Sequence, residues 1–149
     1  MRLILKQLQD ISETEVEIRY AQMDARIHNL IKQVEQSKQY LYGMENGRQH
    51  RILVNDIFYA ESVDRKTYIY TKLDIFHCEL KLYQILMKNV DFVQASKSCV
   101  VNINVLENIR TLLNSRMEGT LINGEKITIS RTYIPGIRAA FTEKGGDAE

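Results

Sequence analysis

From Gln39 to Ile129 the chain is a succession of short runs that mix apolar and polar side chains and are parted by polar turns. Tyr40-Leu41-Tyr42-Gly43-Met44 and Arg51-Ile52-Leu53-Val54 flank Glu45-Asn46-Gly47-Arg48. Asn-Gly between such runs signals a tight hairpin, because both residues tolerate the positive φ that the turn requires. Asn123-Gly124 repeats the signal. Further strands are expected at about 57–62, 67–72, 75–79, 92–94, 99–101, 106–113, 117–122 and 126–129. One helix interrupts them over Leu80 to Lys88, where Leu82, Ile85 and Leu86 fall at i, i+3, i+4. A second closes the chain on Tyr133, Ile134, Ile137 and Phe141, with Pro135 placed where an early helical turn tolerates a missing N–H. This pattern restricts the chain to an α+β, mostly β fold with short crossover and terminal helices.

Ahead of these runs the pattern differs. Residues 2–8 alternate, and Glu15-Val16-Glu17-Ile18-Arg19-Tyr20 alternates strictly, so two opening strands are expected. Ile27, Leu30, Ile31 and Val34 then make one apolar stripe on a helix from Met23 to Lys38. Burying four such side chains is worth roughly 1.5 to 3 kcal/mol each, so this helix packs rather than standing off as an arm. The division expected is a strand-strand-helix module over 1–47, a β-rich domain over 48–141, and a disordered tail over 142–149.

Composition narrows the class. The 149 residues are 44% hydrophobic and 26% charged with one proline, which suits a globular chain that needs no staple. Cys78 and Cys99 lie apart in apolar contexts, so free thiols in a reducing compartment are expected. No apolar stretch reaches the roughly 18 to 20 residues that span a bilayer, and Met1-Arg2-Leu3-Ile4-Leu5-Lys6 lacks a signal-type apolar region; a cytoplasmic protein is expected. Lys and Arg total 20 against 19 Asp and Glu, a net charge of +1, so any surface for a polyanion must be gathered locally by folding. Catalysis finds no support: His28, His50 and His77 are scattered, and there is no His-Glu-x-x-His, Cys-x-x-Cys or phosphate-cradling glycine loop. His77, Cys78 and Glu79 are consecutive in a strand and therefore point to alternate faces. No metal or cofactor is expected.

Three segments carry the functional signal: Asp56-Ile57-Phe58-Tyr59-Ala60-Glu61-Ser62, Phe92 to Asn102, and Ile127-Thr128-Ile129-Ser130-Arg131-Thr132-Tyr133. With the helical Leu80-to-Lys88 crossover and Asn123-Gly124-Glu125 between them, their order and spacing resemble the LytTR DNA-binding domain over about residues 48–141. The resemblance implies a mostly β fold that meets promoter DNA through loops reaching into successive major grooves, commonly at direct repeats. It is similar to the small regulators that carry this domain without a phosphorylated receiver, since about 47 residues precede the match. That likeness implies a homodimer, and a small membrane protein as regulatory partner, with the N-terminal module serving one contact or the other.

The candidate DNA-binding residues lie on three loops. Arg65 and Lys66 stand in a polar turn as point charges for phosphate, and Thr67 as a hydroxyl for a base edge or phosphate, although the family often has histidine there. Lys97 suits guanine O6 and N7 or a phosphate, with Ser96 assisting at phosphate and Ser98 bonding backbone. Arg131 presents a planar fork for bidentate recognition, and Arg138 and Lys72 are weaker phosphate candidates. Each also has a plain structural reading: a solvated hairpin tip, a surface lysine at a strand edge, an arginine neutralising a carboxylate. Asn102 and Glu61 read as architectural, Asn102 bonding loose backbone and Glu61 pairing with a base such as Arg131. The alternative for the whole chain is a β-rich protein interaction module that never touches DNA.

Overall fold

The computed structural model describes residues 1–12, 14–36 and 39–145. They fall into two compact units, Met1–Glu35 and Gln36–Glu149.

In the first unit the ordered element is helix α1 (Ala25–Gln36). Asp24 caps it, its Oδ1 accepting the Ile27 N–H at 3.0 Å, and that bond holds the carboxyl below its ordinary range. Ile27 is buried, while Leu30, Ile31 and Val34 are half-buried. The two strands expected at 2–8 and 15–20 do not form. Alternation permits a strand, but a strand needs a neighbour to complete its ladder. The described residues of this segment pair with none, and Leu3, Leu5, Val16 and Tyr20 stay exposed.

The described residues of the second unit hold ten strands: β1 (Tyr40–Glu45), β2 (Arg48–Leu53), β3 (Tyr59–Val63), β4 (Lys66–Tyr70), β5 (Ile75–Cys78), β6 (Phe92–Ser96), β7 (Cys99–Asn102), β8 (Leu106–Thr111), β9 (Met117–Leu121) and β10 (Lys126–Ile129). The first seven make one antiparallel sheet in the order β2-β1-β5-β4-β3-β7-β6, and the last three a second in the order β10-β9-β8. Helix α2 (Leu82–Leu86) crosses between β5 and β6, and helix α3 (Ile134–Gly145) ends the description. The helix thus takes in residues 142–145, where a tail was expected; residues 146–149 lie outside the described residues.

Asn46 at φ 51° and Gly47 at φ 75° form the expected two-residue turn, closing β1 on β2 with Glu45 opposite Arg48. β1 also pairs with β5 through Met44 and His77. The hairpin divided in the sequence reading at residue 47 is therefore continuous with the large sheet. Gly43 makes this pairing possible: a Cβ there would sit 2.5 Å from the Phe76 Cβ and 2.7 Å from Ile52 Cδ1.

Two cores sandwich the middle of the large sheet. On one face Leu41, Ile52, Ile57, Ala60, Ile69, Phe76 and Val100 pack with Ile85 of α2. On the other, Ala95, Cys99 and Val101 pack with Met117, Leu121, Ile127 and Ile129 of the second sheet and Ile137 of α3. Consecutive residues of β7 thus serve opposite cores, which is why Cys99-Val100-Val101 is apolar without a break.

Candidate nucleic-acid interface

The strand directions decide which loops meet. β3 and β4 are joined at Asp64-Arg65, with Val63 opposite Lys66, and β6 and β7 at Lys97-Ser98, with Ser96 opposite Cys99. β3 lies beside β7, and the Ser62 N–H donates to the Ser98 carbonyl at 2.9 Å, so the two tips stand side by side at one end of the sheet. β6 shifts register between Gln94 and Ser96, and a bulge of this kind frees a backbone group from the ladder. The group freed is the Ala95 carbonyl, which accepts the Ser130 N–H at 2.9 Å. That bond draws the end of β10 against the edge of β6 and sets Arg131 at the same end as Lys97. Arg131 opens a 3₁₀ turn (Arg131–Tyr133) that leads into α3, held down by the fully buried Ile137.

Arg65, Lys66, Lys97 and Arg131 are all exposed here, with Asp64 as the acidic residue on the first tip. Arg131 makes no ion pair among the described residues. Its expected partner Glu61 is taken instead by the Tyr70 hydroxyl, which donates to Glu61 Oε1. Arg138 is exposed on α3. Ser96 is half-buried, and its Oγ accepts the Ser98 N–H at 3.2 Å and lies 3.4 Å from Ser98 Oγ, so Ser96 rather than Ser98 supplies the side-chain bond to backbone in this turn.

Two candidates stand apart from these. Thr67 is only 5% exposed, because the register that sets Val63 opposite Lys66 turns Thr67 to the core face with Ile69. Lys72 belongs to the β4–β5 turn, at the other end of β4, and its carbonyl accepts from Asn123 Nδ2 at 3.3 Å. A five-residue strand, at about 3.3 Å per residue, separates it from the basic tips.

A tyrosine–carboxylate pair missed in the sequence ties the two sheets together. The Tyr59 and Tyr70 rings stack at 4.2 Å and 8°, Tyr59 bonding Glu125 and Tyr70 bonding Glu61. Burial first, then these carboxylates, push both hydroxyls above the ordinary tyrosine range. Burial also pushes the Cys99 thiol up to about 12 and raises that of Cys78. All four groups keep their protons in the fold at a pH where the unfolded chain has lost them, so the folded state binds more protons and stability falls as pH rises. The loss begins near 9, the ordinary thiol value, and runs to about 12 for Cys99. We expect the urea midpoint to hold steady to about pH 9 and then fall, with a shallower fall for Cys99→Ala; a midpoint unchanged to pH 11 in both would contradict these environments.

Among the described residues no three His, Cys, Asp or Glu side chains gather as a metal site. The arrangement is that of a β scaffold presenting basic side chains on loops at one end. The family model for the LytTr DNA-binding domain matches residues 47–142, and the chain belongs to that family, which is one of DNA binding and not of enzymes. It is 29% identical over 132 residues to the sensory transduction protein LytT of Bacillus cereus and, at the same identity and length, to that of Bacillus anthracis. Each match covers 86% of this chain and 48% of the relative, so the chain spans about half the length of these proteins. A solved LytTr DNA-binding domain of a methyl-accepting/DNA response regulator from Bacillus cereus has the same fold, with a TM-score of 0.63 at 21% identity over 69% of this chain and 96% of that one. The mostly β architecture read from the sequence is therefore the architecture of the family. What these relationships establish for the chain is a DNA-binding domain of the LytTr family. Among the described residues no helix is long and apolar enough to cross a membrane.

Proposed function

We propose that this protein is a sequence-specific transcription regulator that reads promoter DNA by placing its basic tips in the major groove, two copies occupying repeated half-sites. The observation that carries this is the convergence of Arg65, Lys66, Lys97 and Arg131 at one sheet end through the Ser62–Ser98 and Ser130–Ala95 bonds. Arg131 is the base reader, its fork suited to guanine O6 and N7, and Lys97 reads guanine or clamps phosphate. Arg65, Lys66, Ser96 and Arg138 hold the backbone. Asp64 at φ 51° and Arg65 at φ 67° form a left-handed turn without glycine, which costs roughly 1 to 2 kcal/mol per residue. A strained turn retained at a tip fits a side chain needed there.

The N-terminal unit, with Leu3, Leu5, Leu8, Val16 and Tyr20 exposed, serves dimerisation or contact with a small membrane protein, and the regulator works in the cytoplasm. A second reading, protein binding without DNA, draws on the exposed face of Tyr40, Tyr42, Met44 and Ile75.

Selection of duplexes from a random pool, followed by anisotropy from 50 to 200 mM salt, separates the two. A reader neutralising about four phosphates enriches a motif and binds with a log–log salt slope near −3 to −4. A pool that stays random, with weak salt dependence, favours the protein-binding reading.

A further inference from the structure

The basic row does not end at Arg131. In the second sheet β10 pairs with β9 with Ile129 opposite Met117, and β9 pairs with β8 with Met117 opposite Thr111. The β8–β9 tip, closed by the Leu112 N–H on the Arg116 carbonyl at 2.8 Å, therefore lies at the same end as Ser130 and Arg131. Arg116, one residue before Met117, stands about one strand spacing, roughly 4.8 Å, from the end of β10. It is exposed, and strand alternation sends it to the outer face with Glu118, opposite the buried Met117. Glu118 is already engaged, by Arg110 Nε at 2.9 Å and Lys126 Nζ at 3.8 Å, and Arg116 makes no ion pair among the described residues.

From this placement we infer that Arg116 is a further contact, made to the phosphate backbone that borders the groove occupied by Arg131. The inference rests on the DNA-reader reading and extends it. The major groove is about 12 Å wide, so a side chain centred in it has a phosphate row roughly 6 Å to either side, close to one strand spacing. Arg116 is the cation that the second sheet holds at that offset. The β4, β3, β7 and β6 tips span three strand steps, about 14 Å along the end of the large sheet, and β10 to β9 adds one step in the second sheet. A backbone contact carries no sequence information, so Arg116 adds affinity and footprint but not selectivity.

The test compares the full chain with Arg116→Ala, Arg116→Glu, Lys126→Ala and Arg131→Ala on a selected 30-base-pair duplex and on a scrambled one. Lys126 shares the outer face but sits at the far end of β10, opposite Thr120. Arg116→Ala is expected to reduce the salt slope by about 0.9 and to weaken both duplexes equally, by up to about tenfold at 0.1 M salt. Arg116→Glu weakens both further, and Lys126→Ala leaves the slope unchanged. If the full chain selects and binds its duplex and Arg131→Ala loses it, yet Arg116→Ala keeps the parental slope or merely matches Lys126→Ala, this inference fails alone. If the full chain binds neither duplex, the DNA-reader reading fails and takes this one with it.

Discussion

Asn102→Ala is expected to lower stability by about 2 to 4 kcal/mol while leaving the DNA affinity of the folded protein intact. Asn102 ends β7 with 2% exposure. Its Nδ2 donates to the Ile57 carbonyl at 3.1 Å, and its Oδ1 accepts the Asn104 N–H at 3.0 Å, starting the 3₁₀ turn Ile103–Val105. Truncation strands a buried carbonyl and removes a cap, and each such loss costs about 1 to 3 kcal/mol. For a chain of 149 residues that corresponds to a melting temperature lower by roughly 5 to 15 °C. Asn102→Asp keeps the acceptor but loses the donor and buries a carboxyl, so it should fall at least as far. Asn102 is at the opposite end of β7 from Lys97, which is why binding by the folded fraction is unaffected. A melting temperature within about 1 °C of the parent for both variants would show that the side chain's two bonds carry no net weight.

This residue also shows what the sequence makes legible. An asparagine closing an apolar run announces a local bond to backbone, and the structure supplies one to Asn104; the second bond reaches Ile57, and no spacing rule connects those positions. The same division holds elsewhere. Asn46-Gly47 encodes its own turn, so β1 and β2 could be read directly, whereas Asp64-Arg65 forms an equally tight left-handed turn without the residues that signal one. Its register decides that Thr67 faces inward, and a hydroxyl beside two basic residues gives no warning of that. Val16, Ile18 and Tyr20 carry a strand's alternation, but alternation describes a face and not a partner, and no partner strand is present among the described residues. Lys97 and Arg131 were legible as candidates through their motifs. What joins them is a bulge that frees the Ala95 carbonyl, a backbone event with no side-chain signature. Arg116 lies outside every motif; the available signal was a basic residue immediately ahead of the strand that pairs with the one leading to Arg131.

Replacing Arg131 with alanine is expected to weaken binding to the selected duplex by about 1 to 3 kcal/mol, roughly 5- to 150-fold, with a much smaller loss on scrambled DNA. The asymmetry follows from how the residue is held. The Ser130 N–H on Ala95 and the buried Ile137 fix the backbone on both sides of Arg131, and its side chain makes no ion pair among the described residues. The guanidinium is therefore exposed on an anchored backbone, so on binding the ordering cost falls on the side chain and not on the loop. Arg131→Lys separates charge from geometry. It keeps the cation, so affinity for scrambled DNA should remain near the parental value, but it loses the planar fork, and discrimination on the selected duplex should drop toward that of alanine. The melting temperature should move little in either variant, since the side chain is exposed. Equal losses on both duplexes for alanine, together with full recovery by lysine, would reassign Arg131 from base reader to phosphate clamp. The reading of sequence would then fall to Lys97, whose tip lies beside it.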